Sequence, residues 1–322
     1  MTKLRSLAQK DYLKYGLHLA ILIGVIWAAV KYLNGQEVLS ALQAFNYRLA
    51  PFILLLSTGY MLLKAWRFVL LMAPFSDGVP WLVTYKAYIA GQAATLLPGG
   101  IAARAGLMKQ VNVPVAQSSV PVLFSSGLDQ VVFLISSLIA ALWFEDARVP
   151  VLIVLGVVTA VVIILLLPPT RRPLARAADW LAGKVGAQET WRHFLDALPD
   201  VLTWQILLPS LALTVVAYAA KLVALDLSLR GVGLELGYPT LFLGFVLPTM
   251  LGRIAPIPGG VGVTEAGMVG FLAATSQANP NQLTAAVAVF RIGTVFFEAL
   301  LGAIVYFFAW NGEQEVAVES AS

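Results

Sequence analysis

Three charged side chains stand deep inside long apolar runs of this 322-residue chain: Asp129, Arg291 and Glu298. On insertion scales a charge at the centre of a bilayer costs about 2.5–3.5 kcal/mol unless a partner or a wet cavity receives it. Asp129 and Arg291 have two open readings: a pair with each other that locks the protein together, or direct contact with a polar substrate. Lys221 and Asp226 share another apolar run with Arg230, which lies near its end, where a long side chain snorkels to the interface. Lys64, Trp66 and Arg67 fall low in a further run, where the sequence places them at a cytoplasmic interface. Arg253 and Arg291 are candidates for gripping phosphate, because a planar guanidinium meets its oxygens in pairs.

Two backbone breaks accompany these charges, Pro98-Gly99-Gly100 and Pro258-Gly259-Gly260. Proline stops an incoming helix and glycine lets the chain turn. The helix that follows starts with unpaired N–H groups and a positive dipole end, which must be buried in protein or face a wet cavity and which favours an anion such as phosphate. After the second break Thr264 reads as the N-cap and Glu265 as a first-turn acid suited to the dipole. Glu265 is then either a structural cap or a proton or headgroup-amine partner. Asp129 lies 31 residues after Pro98 and Arg291 33 after Pro258, and Ile101 and Ala102 align with Val261 and Gly262, the pattern of an old inverted repeat.

The elements that carry these residues are membrane helices. The chain is 59% hydrophobic and 12% charged, with mean hydropathy +0.83; soluble domains carry about 25% charged residues. Six runs are long enough to cross: Gly16–Leu33, Leu49–Met72, Val115–Phe144, Val149–Leu167, Trp204–Arg230 and Leu283–Trp310. The two broken stretches, about 81–113 and 239–276, read as re-entrant hairpins entering from opposite faces. The fold expected is an all-α integral membrane protein, one polytopic domain with repeat halves 49–144 and 204–310. A basic linker at 168–202 carries Trp180 and Trp191 and reads as amphipathic helices on the inner leaflet. This linker and the basic N-terminal tail place both in the cytoplasm, in a multi-pass protein of the inner membrane.

Composition also excludes functions. There is no cysteine, and His18 and His193 lie far apart, so a metal centre is not expected. No Walker-type loop appears, so ATP is not the expected driver, and no cofactor is expected. The net charge of +4 comes from basic residues scattered between apolar spans, which argues against a nucleic-acid partner. Small residues four apart recur along the spans, a spacing compatible with a homo-oligomer.

The segment from Pro256 to Glu265, with Arg291 in the last span, resembles the signature of the lysylphosphatidylglycerol synthase transmembrane (flippase-like) family. Leu97-Pro98-Gly99-Gly100 with Asp129 is similar to that family's other motif. The resemblance runs from about Leu17 to Trp310. It implies an integral membrane protein that moves lipids between leaflets. Because the chain ends at Ser322, it also implies the membrane part without the family's aminoacyl-transferase domain, and hence no synthase activity. The family commonly has an acid shortly after the first Pro-Gly-Gly; here Ile101 to Gly106 holds none and carries Arg104 instead, which favours an anionic headgroup.

The expected substrate-binding set is Pro98, Gly99, Gly100, Arg104 and Asp129 in the first half, and Arg253, Pro258, Gly259, Gly260, Gly262, Thr264, Glu265 and Arg291 in the second. The expected function is ATP-independent flipping of an anionic lipid or lipid-linked phosphate, by alternating access between the two hairpins. A membrane lipid is the partner, and no catalysis is expected. The competing classes are a lipid-modifying transferase, which needs an acid cluster such as Asp-x-x-Asp that the chain lacks, and a non-transporting structural or regulatory subunit.

Overall fold

The computed structural model describes residues 35–95, 97, 100–142, 156, 176, 179–180, 183–184, 188–254 and 260–310. Among them every regular element is helical. In chain order these are α1 (Gly35–Gln43), α2 (Ala50–Met72), α3 (Trp81–Gly91), α4 (Ala103–Gln110), α5 (Val115–Ala141), α6 (Gln188–Val201), α7 (Trp204–Gly231), α8 (Tyr238–Ile254), α9 (Val263–Ser276), α10 (Pro280–Arg291) and α11 (Phe297–Phe308). A π-helical turn, Ile292–Phe296, joins α10 to α11 without a break.

Among the described residues four stretches are long and apolar enough to cross a membrane: Tyr47–Phe75, Val115–Ile139, Trp204–Gly231 and Pro280–Phe308, with mean hydropathy from 1.4 to 1.9. They correspond to four of the six expected spans. The other two, Gly16–Leu33 and Val149–Leu167, lie outside the described residues. Asn279 starts the last span three residues earlier than the apolar pattern indicates: its side chain accepts a hydrogen bond from Asn281 N at 2.8 Å, with Pro280 in the first turn.

The elements around the breaks are shorter. At 1.5 Å per residue the 17 residues of α8 extend about 25 Å and the 14 of α9 about 21 Å, less than a ~30 Å hydrocarbon core. α8 and α9 form an antiparallel hairpin whose register is set by small residues. A Cβ on Gly244 would lie 2.3 Å from Leu272, one on Gly267 3.0 Å from Pro248, and one on Gly252 1.9 Å from Thr264 Oγ1. α3 and α4, on either side of the first break, pack together with Gly91 against Arg104. Gly100 lies so close to the preceding turn that a Cβ would fall 1.7 Å from the Ala94 carbonyl oxygen.

The chain divides into two compact units. One comprises Thr58–Thr95, Gly99–Ala220 and Glu298–Ser322 and contains the first hairpin; the other comprises Met1–Ser57, Leu96–Pro98 and Lys221–Phe297 and contains the second. The boundaries at 57/58, 220/221 and 297/298 fall inside long helices. In the first-hairpin unit a core of Met61, Ala65, Phe68, Met72, Val83, Ala87 and Tyr88 packs α2 on α3. Gly302 of α11 meets the backbone at the end of α3, a Cβ there lying 2.5 Å from Ala93 N, and Trp310 Nε1 donates to Gln110 Oε1 at 2.8 Å. In the second-hairpin unit α10 packs on α1 and α9, and Asn281 Nδ2 donates to Glu37.

α6 is a described helix within the linker. It is amphipathic and packs against α5, and its charged residues are Glu189, Arg192, Asp196 and Asp200.

Candidate functional site

In the second-hairpin unit the site is built on the start of α9. Gly262, at φ 86°, is the N-cap; Thr264, expected there, is the second residue of the helix. The cap position needs a left-handed backbone, which glycine adopts at little cost and threonine does not. Thr264 is instead buried against Gly252 and Gly260, with its hydroxyl where a Cβ on either glycine would fall. Gly260 is also left-handed, at φ 63°. Glu265 reaches back to the helix start, its Oε2 accepting from Gly262 N at 2.6 Å. Its Oε1 accepts from Arg291 Nε of α10. One carboxylate therefore serves both the dipole end of α9 and a guanidinium that is 8% exposed. Arg253, at the C-terminal end of α8, is exposed.

In the first-hairpin unit a second buried charge site is built from three long helices. Asp129 of α5 is 5% exposed, and its Oδ1 accepts from both Lys64 Nζ and Arg67 Nη1, the latter at 2.6 Å. Arg67 Nη1 also donates to Thr214 Oγ1 of α7 at 2.7 Å, and Nη2 to the Ser125 carbonyl at 3.2 Å and to the Ser125 hydroxyl. Lys64 lies 5.0 Å from the Tyr218 ring centre and 5.8 Å from that of Tyr60, a cation–π pocket closed by Phe133, whose ring is 4.4 Å from Tyr218.

Lys64 and Arg67, placed at an interface by the sequence reading, are 2% and 0% exposed. Only their neighbour Trp66 faces outward, at 43%. The signal that could have found them is helical spacing, since Tyr60, Lys64 and Arg67 recur on one face of α2.

The two sites thus give Asp129 and Arg291 a partner each within its own unit. Glu298 and Lys221 are buried, whereas Arg230 lies at a helix end and pairs with Asp226 at 2.8 Å and Glu235 at 3.4 Å. Gly100 and Arg104 belong to the first hairpin; Pro98, Gly99, Pro258 and Gly259 lie outside the described residues. No group of three or more metal-ligating side chains occurs among the described residues.

The sequence of this helical membrane chain has a counterpart among known families. The model for the lysylphosphatidylglycerol synthase TM region matches residues 16–302. The chain belongs to that family. The match takes in both hairpins, both charge sites, three of the four spans whole and the last as far as residue 302, so the resemblance read from the two motifs extends over most of the sequence. Comparison with curated proteins gives no match. Membership of this family gives the chain a lipid-related role in a membrane, as a multi-pass protein.

Proposed function

We propose that this protein moves a lipid with an anionic, phosphate-bearing headgroup between the leaflets of the cytoplasmic membrane, without ATP and without covalent change to the lipid. The observation that carries the reading is the Glu265 carboxylate at the start of α9. It accepts from a helix-terminal N–H with one oxygen and from a buried arginine with the other. A phosphate needs the same two kinds of donor: the N-terminus of a helix and a guanidinium. Glu265 occupies the position of such an anion, and a headgroup phosphate replaces it when the carboxylate swings aside or takes up a proton. The exposed Arg253 extends the positive surface toward the headgroup.

The basic N-terminal tail and the basic stretch 168–202 favour a cytoplasmic N-terminus. No Walker-type phosphate loop occurs in the sequence, so transport runs downhill or follows an ion gradient. The lipid's tails stay in the bilayer while its headgroup crosses through protein.

The test is a proteoliposome assay with fluorescent lipids and a membrane-impermeant quencher. Labelled phosphatidylglycerol should exchange leaflets faster with protein than without, and Arg291→Ala should lose most of that gain. Equal exchange with and without protein, across anionic and zwitterionic lipids, would overturn the proposal.

A further inference from the structure

Among the described arginines that are not exposed, Arg67, Arg104 and Arg291, pairing singles out one. Arg67 donates to Asp129, Arg291 to Glu265, and Arg230 to Asp226 and Glu235. Arg104, half-buried in the first turn of α4, forms neither a hydrogen bond nor an ion pair through its side chain among the described residues, and its Nε–H is sealed from solvent without an acceptor. Its two terminal Nη groups, by contrast, are not sealed, so the unpaired charge is open to an oxyanion at that edge, where charge-assisted hydrogen bonds are strong.

Two residues of α3 hold this side chain in place. Its guanidinium carbon lies 4.2 Å from the centre of the Tyr88 ring, itself 2% exposed. Its aliphatic stem fills the space beside Gly91, where a Cβ would be 2.6 Å from Arg104 Cγ. Tyr88 and Gly91 are three residues apart and so share a helix face. Contact through the face of a guanidinium does not use its terminal Nη donors, which are the ones that suit an oxyanion. No acidic residue occurs from Ile101 to Gly106 to compete for those donors.

We propose that Arg104 is a recognition site for a phosphate oxyanion, and that Tyr88 and Gly91 are its positioning residues. This deepens the translocation reading by naming what selects the headgroup, and it stands as a binding claim in its own right. Tyr88 supplies the flat platform; Gly91 supplies the space that lets the arginine lie on it.

The experiment measures binding of short-chain phosphatidylglycerol, phosphatidylcholine with the same chains, and inorganic phosphate to the full chain in nanodiscs, by calorimetry. Wild type should prefer phosphatidylglycerol. Arg104→Gln should weaken that lipid by about tenfold or more, as loss of a charge-assisted hydrogen bond does, and leave phosphatidylcholine unchanged. Tyr88→Leu and Gly91→Ala should each weaken it by roughly three- to tenfold, in the range of a partly desolvated cation–π contact. Tyr88→Phe, which keeps the ring, should bind as wild type does. Inorganic phosphate that competes in wild type but not in Arg104→Gln assigns the site to free phosphate as well; no competition restricts it to the lipid.

An unchanged lipid preference in Arg104→Gln overturns the proposal, as does a loss in Tyr88→Phe equal to that in Tyr88→Leu. If Arg104→Gln does not fold, Arg104→Lys decides, since it keeps the charge and loses the stack: a wild-type lipid preference overturns the proposal and an intermediate one supports it. Selective binding by a wild type that flips no lipid leaves this site standing and removes the translocation reading. Flipping with an unchanged headgroup ratio in Arg104→Gln does the reverse.

Discussion

The two charge sites use one kind of bond in opposite ways. Around Asp129, two cations from one helix converge on a single carboxylate oxygen, and hydroxyls of Ser125 and Thr214 take up further donors of Arg67. The side chains of Lys64, Arg67 and Asp129 are at most 6% exposed, and all three sit on regular helices. Around Glu265, one carboxylate serves one arginine and one backbone N–H beside a break in the chain, and its side chain is 26% exposed. A sealed cluster on unbroken helices fastens them together. A half-open carboxylate on a helix terminus is the one that, on the proposed function, exchanges for another anion. Burial and backbone regularity, more than the presence of charge, separate a clamp from a site.

The sharpest way to break this comparison is to remove each carboxylate. Asp129→Ala leaves two cations buried without their acceptor and should lower stability by about 3–5 kcal/mol, the cost of breaking a buried pair from one side. Denaturant unfolding in detergent measures it. A loss below that of Glu265→Ala would refute the assignment of the Asp129 cluster as a clamp.

The breaks themselves come next. A Cβ on Gly260 would lie 2.7 Å from the Gly252 carbonyl oxygen, and one on Gly100 1.7 Å from that of Ala94. Gly260→Ala and Gly100→Ala should each cost about 1–3 kcal/mol as overpacking, by the same measurement. If only one of the two destabilises, the breaks are not equivalent in their packing.

Glu265→Ala should cost less, about 0.5–2 kcal/mol, the range for a lost helix cap. Lipid exchange in proteoliposomes should nevertheless change more in this variant than in any glycine variant of equal stability. An exchange rate that simply follows stability would reduce Glu265 to a cap.

The smallest effects are expected at glycines with open space around them. A Cβ on Gly127 or Gly270 would meet nothing within 4 Å. Both lie inside helices, so alanine there should raise stability by roughly 0.5–1 kcal/mol. Gains of the same size in both units would show that the difference between them resides in the charge sites and not in the helices.

Much of this was legible in the residues. Asp129, Glu265 and Arg291 stand out because a charge inside an apolar run requires an explanation wherever the helix turns. The breaks stand out because proline and glycine act on the local backbone. Lys64 and Arg67 did not stand out, since a long basic side chain near a span end can snorkel to water or turn inward, and both choices leave the same sequence. Thr264 was misjudged as the cap because glycine has no side chain with which to announce that role, while the left-handed turn at Gly262 demands it.

By itself the sequence determined the membrane class, four of the helical spans and the family motifs, all of which follow from local hydropathy and backbone chemistry. Only the tertiary structure decided which charges meet. Asp129 is joined to residues 62 and 65 positions away and Glu265 to one 26 positions away. Such pairings depend on how each helix is rotated about its axis and on where the hairpin returns. Packing against distant neighbours fixes those two quantities, and periodicity within one helix does not contain them.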